Sequence, residues 1–356
     1  MKKEISALVA ALLIGVAVGP VWADYSKHFM AEGFADRMKK EGFTEQETMA
    51  LLRLAEPNTD VLKLIARPAE RMLPWHKYKT IYLNDGLTQS GVQFARTYAE
   101  HLQRAETEFG VPASIILGIL GVETRYGERL GDYTVLNSLA TLAFDYRPRG
   151  EFFRNELASY LLMVREEGLE PTKLRGSYVG AFGMGQFLPS SFRAYAVDFD
   201  GDGKRDIINS IPDAIGSVGN YLKERGWQSG EEIAVPAVMI SESNQLRPVH
   251  TIRQIGWLGL IPERPVSPEK RGRAIALETG SRPEFWIGLN NFWILTQFNR
   301  LEMYGMVVYQ LGQSVTAVIE REQALDRTAA ELAEPQLGGA SGGGQVPVQQ
   351  EPQSSR

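Results

Sequence analysis

The segment Val111–Gly127, VPASIILGILGVETRYG, constrains this chain more than any other. No charge occurs from position 111 to 122, and Ile115, Ile116, Leu117, Ile119, Leu120 and Val122 surround a helix rather than striping one side of it. A helix that is apolar all round is a buried one, so the remaining elements must enclose it. Pro112 suits its first turn and Gly127 its C-terminal stop. Glu123 falls in the last turn, on the face of Leu120, Ile119 and Ile116. A carboxylate there is partly desolvated and sits at the negative end of the helix dipole. Both effects favour its protonated form, which a general acid requires near neutral pH. The alternative is a buried glutamate paired with Arg125 or another cation, because structural ion pairs perturb carboxyl groups as well.

The chain has 356 residues, enough for two or three domains, and 44% apolar residues to build their cores. A net charge of −5 carries no sign of nucleic-acid binding, which shows as a basic patch. The absence of cysteine excludes disulfides, thiolate metal sites, a cysteine nucleophile and a lipid-modified N-terminal cysteine. Met1–Ala23 has the basic start Lys2-Lys3, an apolar run from Ile5 to Val18 broken by Gly19-Pro20, and small residues at Val21 and Ala23. That pattern reads as a cleaved signal peptide in preference to an uncleaved anchor. Its removal takes away Lys2, Lys3 and Glu4, one net positive charge, and moves the chain from −5 to −6. No later stretch is long enough to span a bilayer, so the expected mature protein is soluble and exported, with no membrane anchor.

Residues 24–110 read as helices punctuated by Pro57, Pro68 and Pro74, ending in one long amphipathic helix over Gln89–Gly110. Trp75, Tyr78 and Tyr82 cluster near a loop. The core is the commoner place for such aromatics, although an aromatic-lined cleft suits a sugar. After Glu123 come the helical run VLNSLATLAF within Asp132–Tyr146, a break at Arg147-Pro148-Arg149, and a second helix over Glu151–Gly168. The glycines of GSYVGAFGMGQFLPSSF (176–192) lack the GxGxxG spacing, a preceding strand and a P-loop lysine. A turn that lets backbone and Gln186 approach a ligand is the more natural reading.

The run DFDGDGKRDIIN (198–209) places Asp198, Asp200, Asp202, Lys204 and Asp206 at positions 1, 3, 5, 7 and 9 of an EF-hand loop, with Gly203 at the sharp turn. Lys204 offers only its carbonyl. Asn209 stands where the bidentate glutamate belongs, and Asp213 is the later acid able to close the shell. Four acids at this spacing repel without a cation, so one structural calcium (or sodium) ion is expected. An empty acidic turn is the plain alternative. Helix returns over Asp213–Gly226. Residues 231–290 carry short β-rich runs, IAVPAVMI and RAIALE, and helix resumes over Phe292–Leu311. From Thr328 the sequence thins into Gly, Gln and Pro, the composition of a disordered tail. The histidines, His28, His76, His101 and His250, have no HExxH or triad context, which argues against a zinc peptidase or serine hydrolase.

Together GVETRYG (121–127), LNSLATLAFDY (136–146), GSYVGAFGMGQFLPSSF (176–192), DFDGDG (198–203), DAIGSVGNYLKERGW (213–227) and FNRLEMYGMVVYQLG (298–312) resemble the lytic murein transglycosylase B family, from about Phe29 to Gly312. The resemblance implies an α+β, mainly α protein. A lysozyme-like catalytic core (111–230 with 291–312) joins a flanking helical domain (24–110 with 313–327) and a small inserted β domain (231–290), between a signal peptide (1–23) and a disordered tail (328–356). It implies Glu123 as the single catalytic group and Ser177, Gln186 and Asn299 as sugar contacts. Tyr146, Arg149, Tyr221 and Tyr304 become cleft residues. The metal loop falls on Asp198, Asp200, Asp202, Lys204 and Asp206, with Asp213 nearby. Three positions depart from the family pattern. Phe298 and Phe152 stand where tyrosines are common, and Arg147-Pro148-Arg149 stands for Pro-Arg-Arg.

A single carboxyl group where ordinary glycosidases use two points to a substrate-assisted course in the periplasm. Glu123 would first protonate the oxygen between N-acetylmuramic acid and N-acetylglucosamine. The muramic N-acetyl group, oriented by Ser177 and Asn299, would stabilise C1, and Gln186 would orient the glutamate or the sugar. Glu123 would then accept the proton of the 6-hydroxyl as it attacks C1. No catalytic cofactor is implied. The partners are peptidoglycan glycan strands, with cell-wall synthesis proteins as candidate recruiting partners. The rival readings are a hydrolytic muramidase of the same fold and a non-catalytic peptidoglycan-binding protein.

Overall fold

The computed structural model describes residues 24–66, 73–241 and 248–333; the signal-peptide expectation and the tail from residue 334 lie outside the described residues. Five short helices open the chain: α1 (Ala31–Lys40), α2 (Glu45–Arg53), α3 (Thr59–Ala66), α4 (Trp75–Tyr82) and α5 (Asp85–Thr97). Their ends are written locally. Thr44 and Glu47 form a reciprocal capping box before α2, and Asn84 caps α5 through the Leu87 N–H. The single helix expected over Gln89–Gly110 is two, α5 and α6 (Ala99–Phe109), parted at Tyr98. The Thr97 hydroxyl bonds back to the Gln93 carbonyl at 2.9 Å, the kind of contact that bends a helix, and Tyr98 leaves helical geometry at φ −114°, ψ 28°.

The apolar helix α7 (Ala113–Thr124) lies at the centre, with all its residues from Ile115 to Val122 buried. Against it pack α5, α6 and α11 (Ile211–Glu224), while α8 (Val135–Asp145) and α10 (Pro189–Tyr195) both pack on α9 (Gly150–Glu166). Two-residue strands β1 (Tyr133–Thr134) and β2 (Arg175–Gly176) pair antiparallel, Tyr133 opposite Gly176. The small sheet is antiparallel, in the order β4-β6-β7-β3-β5: β3 is Ala234–Met239, β4 His250–Thr251, β5 Leu260–Pro262, β6 Arg271–Leu277 and β7 Glu284–Gly288. Its own core is Val235, Ala237, Ile252, Ile255, Leu260, Ile287 and Leu289, with α12 (Ile252–Trp257) supplying two of them.

The helix expected over Phe292–Leu311 is also divided, into α13 (Asn290–Leu295) and α14 (Glu302–Ala333), and the link between them carries Phe298 and Asn299. Residues up to Thr316 form one compact unit, and a second unit begins at Ala317, within α14. In the first unit α14 crosses α7 at backbone contact. A Cβ on Gly118 would lie 2.2 Å from the Val308 carbonyl oxygen, and one on Gly312 2.1 Å from that of Ser114. Only glycine allows this approach, and it brings the first turn of α14 to the last turn of α7. Among the described residues no helix is long and apolar enough to cross a membrane.

Candidate active site

Glu123 occupies the last turn of α7, half-buried, where the chain reverses sharply. Three consecutive residues take left-handed backbone: Arg125 (φ 52°), Tyr126 (φ 60°) and Gly127 (φ 94°). Thr124 secures the reversal. Its hydroxyl donates to the Met184 carbonyl at 2.9 Å and accepts from the Gly127 N–H at 3.0 Å, tying the helix end to the glycine-rich segment. Arg125, the ion-pair partner considered from sequence, extends an Nη to the Ile81 carbonyl (3.5 Å).

The glycine-rich segment is a compact double turn rather than a phosphate loop. Strand β2 delivers Ser177, whose N–H bonds the Ala181 carbonyl (2.7 Å) and whose hydroxyl accepts from the Ala181 N–H (3.1 Å). Gln186 also has left-handed backbone (φ 48°). Its amide nitrogen donates to the Leu130 carbonyl at 3.1 Å and the Gly183 carbonyl at 3.0 Å, which aims its carbonyl oxygen and fixes the turn. Non-glycine residues held in this region concentrate at functional sites.

The third wall is α14. Tyr304, 2% exposed, donates its hydroxyl to Glu123 Oε1 at 2.6 Å. Burial, then the charge and acceptor oxygen of Glu123, push the Tyr304 phenol well above its ordinary value. It is therefore a neutral donor across the physiological range, and it engages one carboxyl oxygen. These walls enclose a cleft of about 400 Å³, in which Glu123 is the sole acidic lining residue among the described residues.

Of the residues located from sequence, Ser177, Gln186, Asn299, Arg149 and Tyr304 line the cleft with Glu123. The Arg149 guanidinium lies 4.2 Å from the ring centre of Phe152 and 5.4 Å from that of Phe153. Tyr146 and Tyr221 do not line it. Tyr146 packs edge-on against Phe153 (6.4 Å). Tyr221 is buried, donates to the Gln297 carbonyl at 3.0 Å, and backs Phe298 with ring centres 4.5 Å apart. Of the aromatic cluster in α4, Trp75 takes the core role, its indole N–H on Glu284 (3.2 Å), whereas Tyr78 and Tyr82 line the cleft. Tyr178, Val179 and Leu188 complete the lining, the first two inside the motif that carried Ser177.

In the acidic loop, Asp198, Asp200 and Asp202 offer carboxylate oxygens within 4.8 Å of one another, a set that suits a hard cation. Asp206 and Asp213 are outside that set. Asp206 caps the Ile208 and Asn209 N–H groups. Asp213 is wholly buried and accepts from the N–H groups of Phe199, Asp200 and Asp206. Burial raises its carboxyl above the ordinary value, against the lowering effect of those three donors. It braces the loop from beneath. The loop in turn meets the site: the Ile207 carbonyl accepts from the Met184 N–H at 2.9 Å, two residues before Gln186.

Residues 26–313 match the family described as the transglycosylase SLT domain. The chain belongs to that family. It is 38% identical over 304 residues to the membrane-bound lytic murein transglycosylase B of Escherichia coli, with 82% of this chain and 84% of the relative covered. The fold is similar to that of the catenated lytic transglycosylase SltB1 of Pseudomonas aeruginosa, 40% identical, TM-score 0.79, covering 83% of this chain and 99% of that one. The Escherichia coli lytic transglycosylase Slt35 in complex with calcium is 38% identical, TM-score 0.77, over 83% and 95% of the two chains. The fold expected from the resemblance, mainly α and lysozyme-like with a small β part, is the fold of these transglycosylases.

Proposed function

We propose that this transglycosylase-domain chain is a peptidoglycan lytic transglycosylase. It cleaves the β-1,4 bond between N-acetylmuramic acid and N-acetylglucosamine without water and leaves a 1,6-anhydromuramic end. The observation that carries the reading is the solitary carboxyl group of Glu123 in an otherwise neutral or basic cleft. A retaining hydrolase needs a second carboxylate about 5–5.5 Å away, and an inverting one about 6.5–9.5 Å away. Glu128 and Asp132, the acids nearest in sequence, are exposed and outside the lining.

Glu123 acts twice. Protonated, it gives its proton to the glycosidic oxygen as the bond to C1 breaks. The Tyr304 hydroxyl on Oε1 then stabilises the carboxylate that forms, because a hydrogen bond to an ionised acceptor is the stronger kind. The muramic N-acetyl group, positioned by Ser177 and Asn299, supports C1 in place of a protein nucleophile. The carboxylate finally takes the proton of the 6-hydroxyl as that oxygen closes on C1. An internal hydroxyl has a large effective concentration over water once the sugar is held. Arg149, its guanidinium 4.2 Å from the Phe152 ring centre, meets the anionic side of the muramic residue.

Asp198, Asp200 and Asp202 would hold one calcium (or sodium) ion, which would neutralise the charge of the loop. Asp206 and Asp213 shape that loop, with the Lys204 N–H donating to Asp202, and no step of the reaction passes through it. The enzyme is exported by cleavage after Ala23 and acts in the periplasm on peptidoglycan glycan strands. The chemistry is tested by digesting purified sacculi in ¹⁸O-labelled water. Unlabelled anhydro ends are expected, lost with Glu123→Gln by at least a factor of about 10²–10⁴. Reducing muramic ends carrying ¹⁸O as the main product would identify a muramidase instead.

A further inference from the structure

The exit from α7 is held in a costly conformation by something other than glycine. Arg125 and Tyr126 are both left-handed, a state that persists only where the surroundings over-determine it. Thr124 ties the reversal to the glycine-rich segment, and the Tyr126 ring supplies the other constraint. It is wedged between α5 and α7 at a glycine on each: a Cβ on Gly91 would lie 2.3 Å from the Tyr126 hydroxyl oxygen, and one on Gly121 2.7 Å from it. Phe94 packs against the ring at 5.2 Å, and the Tyr126 N–H reaches back to the Leu120 carbonyl at 3.0 Å. The hydroxyl itself is buried with no hydrogen-bond partner. A buried unpaired hydroxyl is a cost rather than a contribution, so the favourable part of the wedge comes from the ring, whose Cζ would lie 2.9 Å and 2.8 Å from a Cβ at Gly91 and Gly121.

We propose, resting on the reading of Glu123 as the catalytic acid, that Tyr126 is a positioning residue for it. Its ring, locked between Gly91 and Gly121, holds the left-handed exit of α7 and so keeps the Glu123 carboxyl on the Tyr304 hydroxyl three residues upstream of the wedge. The hydroxyl of Tyr126 is idle. Three consequences separate this from an ordinary core role. The conservative variant without the hydroxyl keeps activity. Removal of the ring lowers turnover more than substrate affinity. Crowding Gly91 damages turnover in part through Tyr126.

The experiment compares Tyr126→Phe, Tyr126→Leu and Gly91→Ala with the wild type, measuring melting temperature, and kcat and KM for anhydro product release well below the lowest melting point. Tyr126→Phe is expected to keep kcat and to melt no lower than the wild type. Tyr126→Leu is expected to lower kcat on the order of 10–100-fold, the effect of a small misplacement of a reacting group, with KM little changed. Gly91→Ala is expected to lower kcat, since its methyl would meet the Tyr126 hydroxyl oxygen at 2.3 Å, Val315 Cγ2 at 2.6 Å and Tyr126 Cζ at 2.9 Å; adding Tyr126→Phe removes only the first of these, so any restoration is partial. Equal loss of kcat in Tyr126→Phe and Tyr126→Leu would overturn the proposal, as would a Tyr126→Leu protein that melts lower with kcat intact. Should Tyr126→Leu not fold, Tyr126→Met, which keeps more of the ring's volume but not its shape, takes its place: kcat within about twofold of the wild type would refute the wedge. Failure of the wild type to form anhydro ends would instead overturn the functional reading, and leaves the Tyr126→Phe melting comparison standing as the test of the idle hydroxyl.

Discussion

Tyr304→Phe removes a single oxygen from the site and tests how Glu123 is poised. The ring remains, so packing against its neighbours changes little, but the donor 2.6 Å from Glu123 Oε1 is lost. Tyr304 is 2% exposed, so bulk water does not take its place. A hydrogen bond to a charged group contributes about 1.5–3 kcal/mol. At about 1.36 kcal/mol per factor of ten, that is a loss of roughly 10- to 150-fold in turnover if the full contribution is made to the carboxylate formed as the bond breaks. The sign of the pH effect is also determined. Without the donor the ionised form is less stable, Glu123 holds its proton to higher pH, and the alkaline limb of the kcat/KM profile moves up. The assay is anhydromuropeptide release from sacculi, followed chromatographically across the pH range, with melting temperature as the folding control. A variant within about twofold of the wild type, with its alkaline limb unmoved, would show that Tyr304 is packing only and that something else stabilises the carboxylate.

Other outcomes follow from the same geometry. Gly118→Ala sets a methyl 2.2 Å from the Val308 carbonyl oxygen, so α7 and α14 must part; a loss of about 1–3 kcal/mol is expected, with turnover falling further than stability alone explains, and a denaturant titration with kinetics on the folded variant checks it. Chelation is expected to lower the melting temperature and calcium to restore it, with Asp200→Ala abolishing the response; an unchanged melting point in both would reduce the acidic loop to a turn. Burial holds the His28 imidazole below its ordinary value of 6.5, with Arg154 acting the same way and Asp145 opposing. The folded state therefore resists protonation, and the stability His28 contributes is present above about pH 6.5 and lost as pH falls towards the folded value. The wild type should lose more melting temperature than His28→Gln between about pH 7.5 and 5, and an equal loss in both would refute the linkage.

Much of this protein is legible in one dimension, where the governing physics is local or periodic. The unbroken apolar run of 111–122 can only be a buried helix. Glu123 is conspicuous because it ends that run, and the DFDGDG spacing places its acids by loop geometry alone. The capping pairs Thr44/Glu47 and Thr251/Gln254 mark helix starts to the residue. Periodicity fails where two helices share one amphipathic pattern. The breaks at Tyr98 and at 296–301 interrupt runs whose apolar spacing continues across them, and the second break carries Phe298 and Asn299 into the cleft. The roles of the aromatics are likewise undecidable by type. Trp75, Tyr78 and Tyr82 share a helix, yet Trp75 is core, Tyr78 is buried against the cleft wall and Tyr82 lines the cleft, because the difference is which neighbour each turn meets. Tyr221 reads as a cleft residue and stands behind one, and Asp213 reads as a ligand and braces the loop through three backbone N–H groups. The sequence by itself determined the chemical group, its helix and the loop that suits a cation. Tertiary structure alone decided that this group meets the Tyr304 hydroxyl, 181 positions away. That contact depends on how closely α7 and α14 approach at Gly118 and Gly312, a distance set by two backbones at once, which neither segment specifies alone.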